Sequence, residues 1–208
     1  MEREARRRFI LDAARRILAS KGVESATMEE IASASGYTRR SLYAYFRNRE
    51  EILLEVLSED LRDRWALQKM AVARGATALE KVRIWAQVLY EVSRANPQTL
   101  QLQVYADFRG INRKRIRSEI FSRFQPINEN LAEGLREILR MGIADGSLRP
   151  DLNIDLCITN FVHSFRAILH HALTPSYSFA KFPPDVLVGH FLDLFCRAIR
   201  SDQGEAND

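Results

Sequence analysis

Arg39, Arg40, Ser41, Tyr43, Ala44 and Tyr45 lie within one run of seven residues, a density of polar donors that an apolar core does not need. Arginine can make a bidentate contact to guanine, serine can donate or accept, and alanine allows close approach to a thymine methyl. The tyrosine hydroxyls and Arg49, which falls near a helix start, are suited to hold phosphates without reading sequence. At about 100° per residue, a helix over 38–46 puts Leu42 and Phe46 on one side, with Tyr45 and Arg39 nearer its edge. Arg40, Ser41, Ala44 and Arg47 then face the opposite way and Tyr43 flanks them. The chemistry this offers is contact with nucleic acid, although an ordinary charged surface helix uses the same residue types.

The elements that must hold this helix are legible around it. A first helix over about 4–20 aligns Phe9, Ile10, Ala13, Ala14, Ile17 and Leu18 on one stripe and ends at Lys21-Gly22. Thr27 and Glu30 fit a capping box that starts a short second helix. Gly36 then permits the tight change of direction, and Thr38 caps the arginine-bearing helix. Asn48 and Glu51 repeat the capping pattern at the head of a long helix running into the low seventies. A short helix, a tight turn and a second helix with a polar outer face make the layout of a helix-turn-helix, whose second helix enters the major groove. Charge agrees: residues 1–50 hold 11 Lys+Arg against 7 Asp+Glu, whereas the remaining 158 hold 20 of each, so the net positive charge sits at the end suited to a polyanion.

The stretch TMEEIASASGYTRRSLYAYFRNREEIL resembles the DNA-binding segment of the TetR family of transcriptional regulators. It has a threonine-capped second helix, an Ile-Ala pair, a glycine turn, a threonine cap, a Leu-Tyr-x-x-Phe ending and an acidic start to the fourth helix. The resemblance covers about residues 5–55 and assigns phosphate contacts to Thr27, Thr38, Tyr43 and Arg49, and third-helix contacts to Arg39, Arg40 and Ser41. Arg40 stands where the family often has a small residue, Tyr45 where it often has histidine, and Arg49 where it usually has lysine.

Everything else reads as helix, with apolar residues at helical spacing and no alternation of period two. The fold class expected is all-α. Domains are expected at 1–48, a helix-turn-helix DNA-binding domain, and 49–208, a helical domain for effector binding and dimerisation, with 201–208 a disordered tail. Thr77 and Glu80 cap a helix that lasts to Asn96-Pro97; helices follow over 102–109, over about 112–143 with Pro126 bending or splitting it, and over about 154–173 and 185–199. The last two are apolar on more than one face. A second copy could cover the excess through Phe161, Phe165, Leu169, Leu187, Phe191, Leu194 and Phe195, and a homodimer would present two recognition helices to a palindrome with half-sites about 34–36 Å apart.

The resemblance also implies a small-molecule effector held in a helix-lined pocket. Trp65, Trp85, Tyr90, Tyr105, Phe108, Phe121, Phe124, His163, Arg166 and His170 are candidate ligand contacts; aromatic residues at helical spacing serve equally as core. Effector binding that favours a DNA-incompetent arrangement would lower operator affinity by linkage, so a repressor is expected. An effector-independent or activating regulator, and an all-helical carrier or enzyme, are the alternatives. No nucleophile motif, phosphate-binding glycine loop or metal-ligand spacing occurs, so no catalysis, metal or cofactor is expected. Cys157 and Cys196 sit singly in apolar runs as small core residues. Without a signal-peptide core or a membrane-length apolar run, a cytoplasmic location is expected.

Overall fold

The computed structural model describes residues 2–174 and 182–201, apart from the side chains of Glu2 and Phe108. Most of the loop expected between the last two helices, and residues 202–208 of the expected disordered tail, lie outside the described residues. Among the described residues there are no strands, and the elements run α1 (Glu2–Lys21), α2 (Met28–Ser35), α3 (Arg39–Tyr45), α4 (Arg49–Val72), α5 (Ala78–Ala95), α6 (Pro97–Arg109), a 3-10 turn (Arg113–Arg115), α7 (Ser118–Ala144), α8 (Ile154–Leu173) and α9 (Pro184–Ile199). They pack as two compact units, Met1–Arg62 with Gln98–Ile127, and Asp63–Pro97 with Asn128–Asp208.

In the first unit α1 lies on α2 and α2 on α3. Ile10, Leu11, Ala14 and Leu18 of α1 meet Ile31 and Ala32 of α2, Leu42 of α3, Phe46 and the α4 residues Ile52, Leu53, Val56 and Leu57 in one buried cluster. Burying side chains of this size contributes roughly 1.5–3 kcal/mol each, which holds in place the two short helices α2 and α3, marginal in isolation. The Thr27–Glu30 capping box is complete in both directions. Gly36 adopts φ 74° as the α2 C-cap, a left-handed conformation that disfavours any residue with a Cβ, and the chain re-enters a helix after only two more residues.

Two expectations about helix ends are corrected. Of the bend or split expected at Pro126 the split does not occur, since Pro126 lies inside α7; the chain breaks earlier, at the 3-10 turn before Ser118. Ser201 does not begin a free tail: it is buried, and its N–H donates to the Ser147 carbonyl at 3.1 Å. Beside it Arg149 N–H donates to the Ile199 carbonyl at 3.0 Å, and Leu148 and Arg200 form an antiparallel bridge, so backbone pairing fastens the end of α9. In the second unit α5 packs on both α8 and α9, and α8 packs on α9. Trp85 meets Phe161 edge-on at 5.9 Å between centroids, and Phe161 stacks on Phe165 at 5.5 Å.

Candidate nucleic-acid interface

Helix α3 has two unlike sides. Leu42 and Phe46 are 0% and 1% exposed and anchor it to the cluster beneath, while Arg39, Arg40, Tyr43, Ala44 and Arg47 are exposed, and Ser41 and Tyr45 are half-buried. Thr38 accepts the Ser41 N–H at 3.2 Å as the N-cap, and the two hydroxyls lie 2.9 Å apart. Arg40 has no hydrogen-bond or ion-pair partner among the described residues. Arg39 instead pairs with Glu29 of α2 and lies 5.5 Å over the Tyr43 ring, so α2 and Tyr43 restrain it. Arg3 of α1 lies 6.0 Å over the ring of Tyr45, adding a further exposed cation on α1.

Arg49 is placed differently from a free phosphate ligand. Its guanidinium donates to the carbonyls of Glu24 and, at 3.1 Å, of Ala26, holding the segment before α2 against the start of α4. Thr27 is exposed but engaged in its capping box, which leaves the hydroxyl lone pairs partly committed. The free face thus centres on Arg40, Tyr43 and Ala44.

What fixes the far end of α3 is a residue that sequence reasoning missed. Arg117, directly before α7, donates from Nε to both carboxylate oxygens of Glu51 at 3.0 Å and from Nη2 at 2.8 Å, and the same Nη2 reaches the carbonyl of Tyr45. Glu51, whose side chain is fully buried, also accepts the backbone N–H groups of Arg47 at 2.8 Å and Arg117 at 2.9 Å. The expected Asn48 cap is present, with the Glu51 N–H donating to Asn48 Oδ1 at 2.9 Å. The Glu51 carboxylate, however, turns to Arg47 and Arg117. Burial alone raises its pKa, but the hydrogen bonds from Arg117 and the two backbone N–H groups outweigh that and hold it below its ordinary value. No local pattern signals a partner 66 residues away.

The profile described as "Bacterial regulatory proteins, tetR family" matches residues 10–56, the span from the middle of α1 through α3 into α4. Over that span the chain is similar to the TetR family of regulatory proteins. The repressor KstR2 of Rhodococcus jostii is 27% identical over 154 residues, covering 74% of this chain and 73% of its own. Among solved structures, FadR of Bacillus halodurans superposes with a TM-score of 0.74 at 19% identity, covering 94% and 97% of the two chains. FadR of Bacillus subtilis, determined in complex with stearoyl-CoA, superposes with a TM-score of 0.72 at 19% identity, covering 92% and 98%. These likenesses extend the shared fold over nearly the whole chain.

The second unit of the chain contains a cavity of about 270 Å³ between α4, α5 and α7, lined by Trp65, Gln68, Val72, Trp85, Ile138 and Met141 among others. Gly134 of α7 faces the Trp65 ring so closely that a Cβ there would come within 2.6 Å of Cη2. The ten candidate ligand residues are divided by the structure. Trp65 and Trp85 line this cavity. Tyr90 is buried and donates its hydroxyl to Asp185 at 2.6 Å. Tyr105, Phe121 and Phe124 pack on the cluster of the first unit. His163 is exposed, Arg166 and His170 are half-buried, and the side chain of Phe108 lies outside the described residues. No helix among the described residues is long and apolar enough to cross a membrane.

The α8–α9 residues are divided as well. Phe161, Phe165 and Leu169 have no exposed surface in the single chain, which corrects their assignment as direct partner contacts: they are core, and cannot be buried twice. Leu194 is 54% exposed, Leu187, Phe191 and Phe195 are half-buried, and Leu156 and Val186 add further exposed apolar surface on the same two helices.

Proposed function

We propose that this regulator represses transcription as a homodimer on a palindromic operator and is released by a small-molecule effector, with residues 1–48 as the DNA-binding domain and 49–208 serving effector binding and dimerisation. The observation that carries the reading is the two-sidedness of α3: Leu42 and Phe46 seated in the cluster, and Arg40, Tyr43 and Ala44 on the opposite, open face. Arg40 and Ala44 are the residues best placed for base edges. Thr38, Ser41 and Tyr43, with Thr27, Arg39, Tyr45 and Arg49 around them, position the helix on phosphates directly or by holding its neighbours.

The exposed apolar residues on α8 and α9, Leu156, Val186 and Leu194, support a second copy as the partner, since a two-fold pairing of these helices would remove them from water. The cavity at Trp65 and Trp85 supports effector control, in keeping with a fold shared with a protein determined with stearoyl-CoA bound. The test is selection of genomic duplex fragments on the purified protein at moderate salt, followed by titration of the enriched sequence. Nanomolar, salt-sensitive binding to a palindrome at two chains per site is expected. Enrichment of no common sequence, or binding that ignores Arg40→Ala, would overturn the assignment.

A further inference from the structure

Two residues that line the cavity each carry a buried polar atom without a partner among the described residues, Gln68 Oε1 and Trp85 Nε1. Gln68 is 0% exposed and Trp85 3%, and both line the cavity. The amide of Gln68 is oriented by its own hydrogen bond: Nε2 donates to the carbonyl of Trp85 at 3.0 Å. The reversed amide would set two acceptors against each other, so Oε1 is the atom left over. An unmet buried acceptor and an unmet buried donor are each costly to leave in place, and the cavity their residues line is otherwise walled mainly by Trp65, Val72, Ile138 and Met141.

The charged residues of the lining do not ask for a charged ligand. Lys81 donates its ammonium to the Val72 carbonyl at 3.1 Å, and Lys69 and Glu137 are exposed, with opposite signs. A carboxylate placed against Gln68 Oε1 would meet another acceptor. A ketone can satisfy Trp85 Nε1–H and leaves Gln68 unmet. A hydroxyl is able to donate to the amide oxygen and accept from an indole N–H. At about 270 Å³ the cavity falls just below the roughly 300–1,000 Å³ common for ligand sites, which suits a compact ligand.

Resting on the effector reading above, we propose that the effector is a compact, uncharged, mainly apolar alcohol whose hydroxyl donates to Gln68 Oε1, with Trp85 Nε1–H supplying a donor to the same or a neighbouring oxygen. Gln68 and Trp85 are then the residues that choose between an alcohol and its oxidised or deoxygenated counterparts.

The experiment uses the full chain and four bicyclic probes of one skeleton: 2-decalol, 2-decalone, decalin and decahydro-2-naphthoate. Trp65 and Trp85 are the two tryptophans of the sequence and both line the cavity, so intrinsic fluorescence reports filling without a label. Tighter binding of 2-decalol than of the ketone and the hydrocarbon, by about tenfold or more, is expected, with the carboxylate weakest. Gln68→Met should abolish the preference of alcohol over ketone. Trp85→Phe, which keeps the amide, should weaken alcohol and ketone together, with Trp65 as the remaining reporter. Equal affinity for the four probes, no binding of 2-decalol, or a preference that survives Gln68→Met would overturn the proposal. A parallel arm follows release of the selected operator: release by stearoyl-CoA while 2-decalol fails to bind refutes the alcohol class and leaves effector control standing. Release by neither stearoyl-CoA nor a probe that does bind counts against effector control itself.

Discussion

Helix α3 and the α8–α9 pair each leave one side uncovered, and the residues on those sides differ. The open face of α3 carries Arg40, Tyr43 and Ala44 over a footing of Leu42 and Phe46, whereas the α8–α9 pair exposes Leu156, Val186 and Leu194 over a footing of Phe161, Phe165 and Leu169. A cationic, hydrogen-bonding face gains from a polyanion and loses little in water. An apolar face gains only from being covered. The comparison teaches that the footing fixes where a surface points, and the outermost few side chains decide what it can bind.

The footings can be broken separately. Arg117→Met would strand the buried Glu51 carboxylate and free the Tyr45 carbonyl, and a loss of roughly 3–5 kcal/mol of stability at pH 7 is expected from removing one member of a buried pair, read by chemical denaturation. Acid sharpens the result. Because the folded pKa of Glu51 lies below its ordinary value of 4.5, its stabilising contribution is present above that value and is lost as pH falls through the folded pKa. The deficit of Arg117→Met should therefore shrink at pH 3, since protonation removes the stranded charge; a deficit independent of pH would detach Glu51 from the account.

Leu194→Glu tests the apolar face without touching its footing. Burying an unpaired carboxylate between two copies should weaken self-association at least about a hundredfold, turning a dimer into a monomer in sedimentation while the helical circular dichroism signal stays unchanged. A dimer that persists would move the interface off α9. Arg40→Ala should weaken operator binding by about 1–3 kcal/mol if it reads a base pair, with relaxed sequence preference at one position and unaltered thermal stability. A uniform loss across sequences would make Arg40 a phosphate contact instead. The smallest effect belongs to Thr27→Ala, which removes one half of the α2 capping box and should reduce stability by about 1 kcal/mol, measurable as a lowered denaturation midpoint.

Much of the interface was legible because its causes are local. A cap acts over three residues, as between Thr27 and Glu30 or Thr38 and Ser41, and helical periodicity separates Leu42 and Phe46 from Arg40 and Ala44 within a turn or two. Arg49 shows where that legibility ends: its type and place suggested phosphate, but its guanidinium is drawn to carbonyls at Glu24 and Ala26 that become neighbours only when α4 starts beside the segment preceding α2.

From the sequence alone followed the all-helical class, the turn at Gly36, the two-sided helix α3 and the basic N-terminal quarter, since each depends on forces acting across a few residues. Tertiary packing alone decided that Arg117 would clamp Glu51, that the aromatic residues would divide between core and cavity, and that Gln68 would be left with an unmet oxygen. Those outcomes depend on which helix faces reach one another, and side chains distant in sequence acquire hydrogen-bond partners, or lose them, only once the helices have packed.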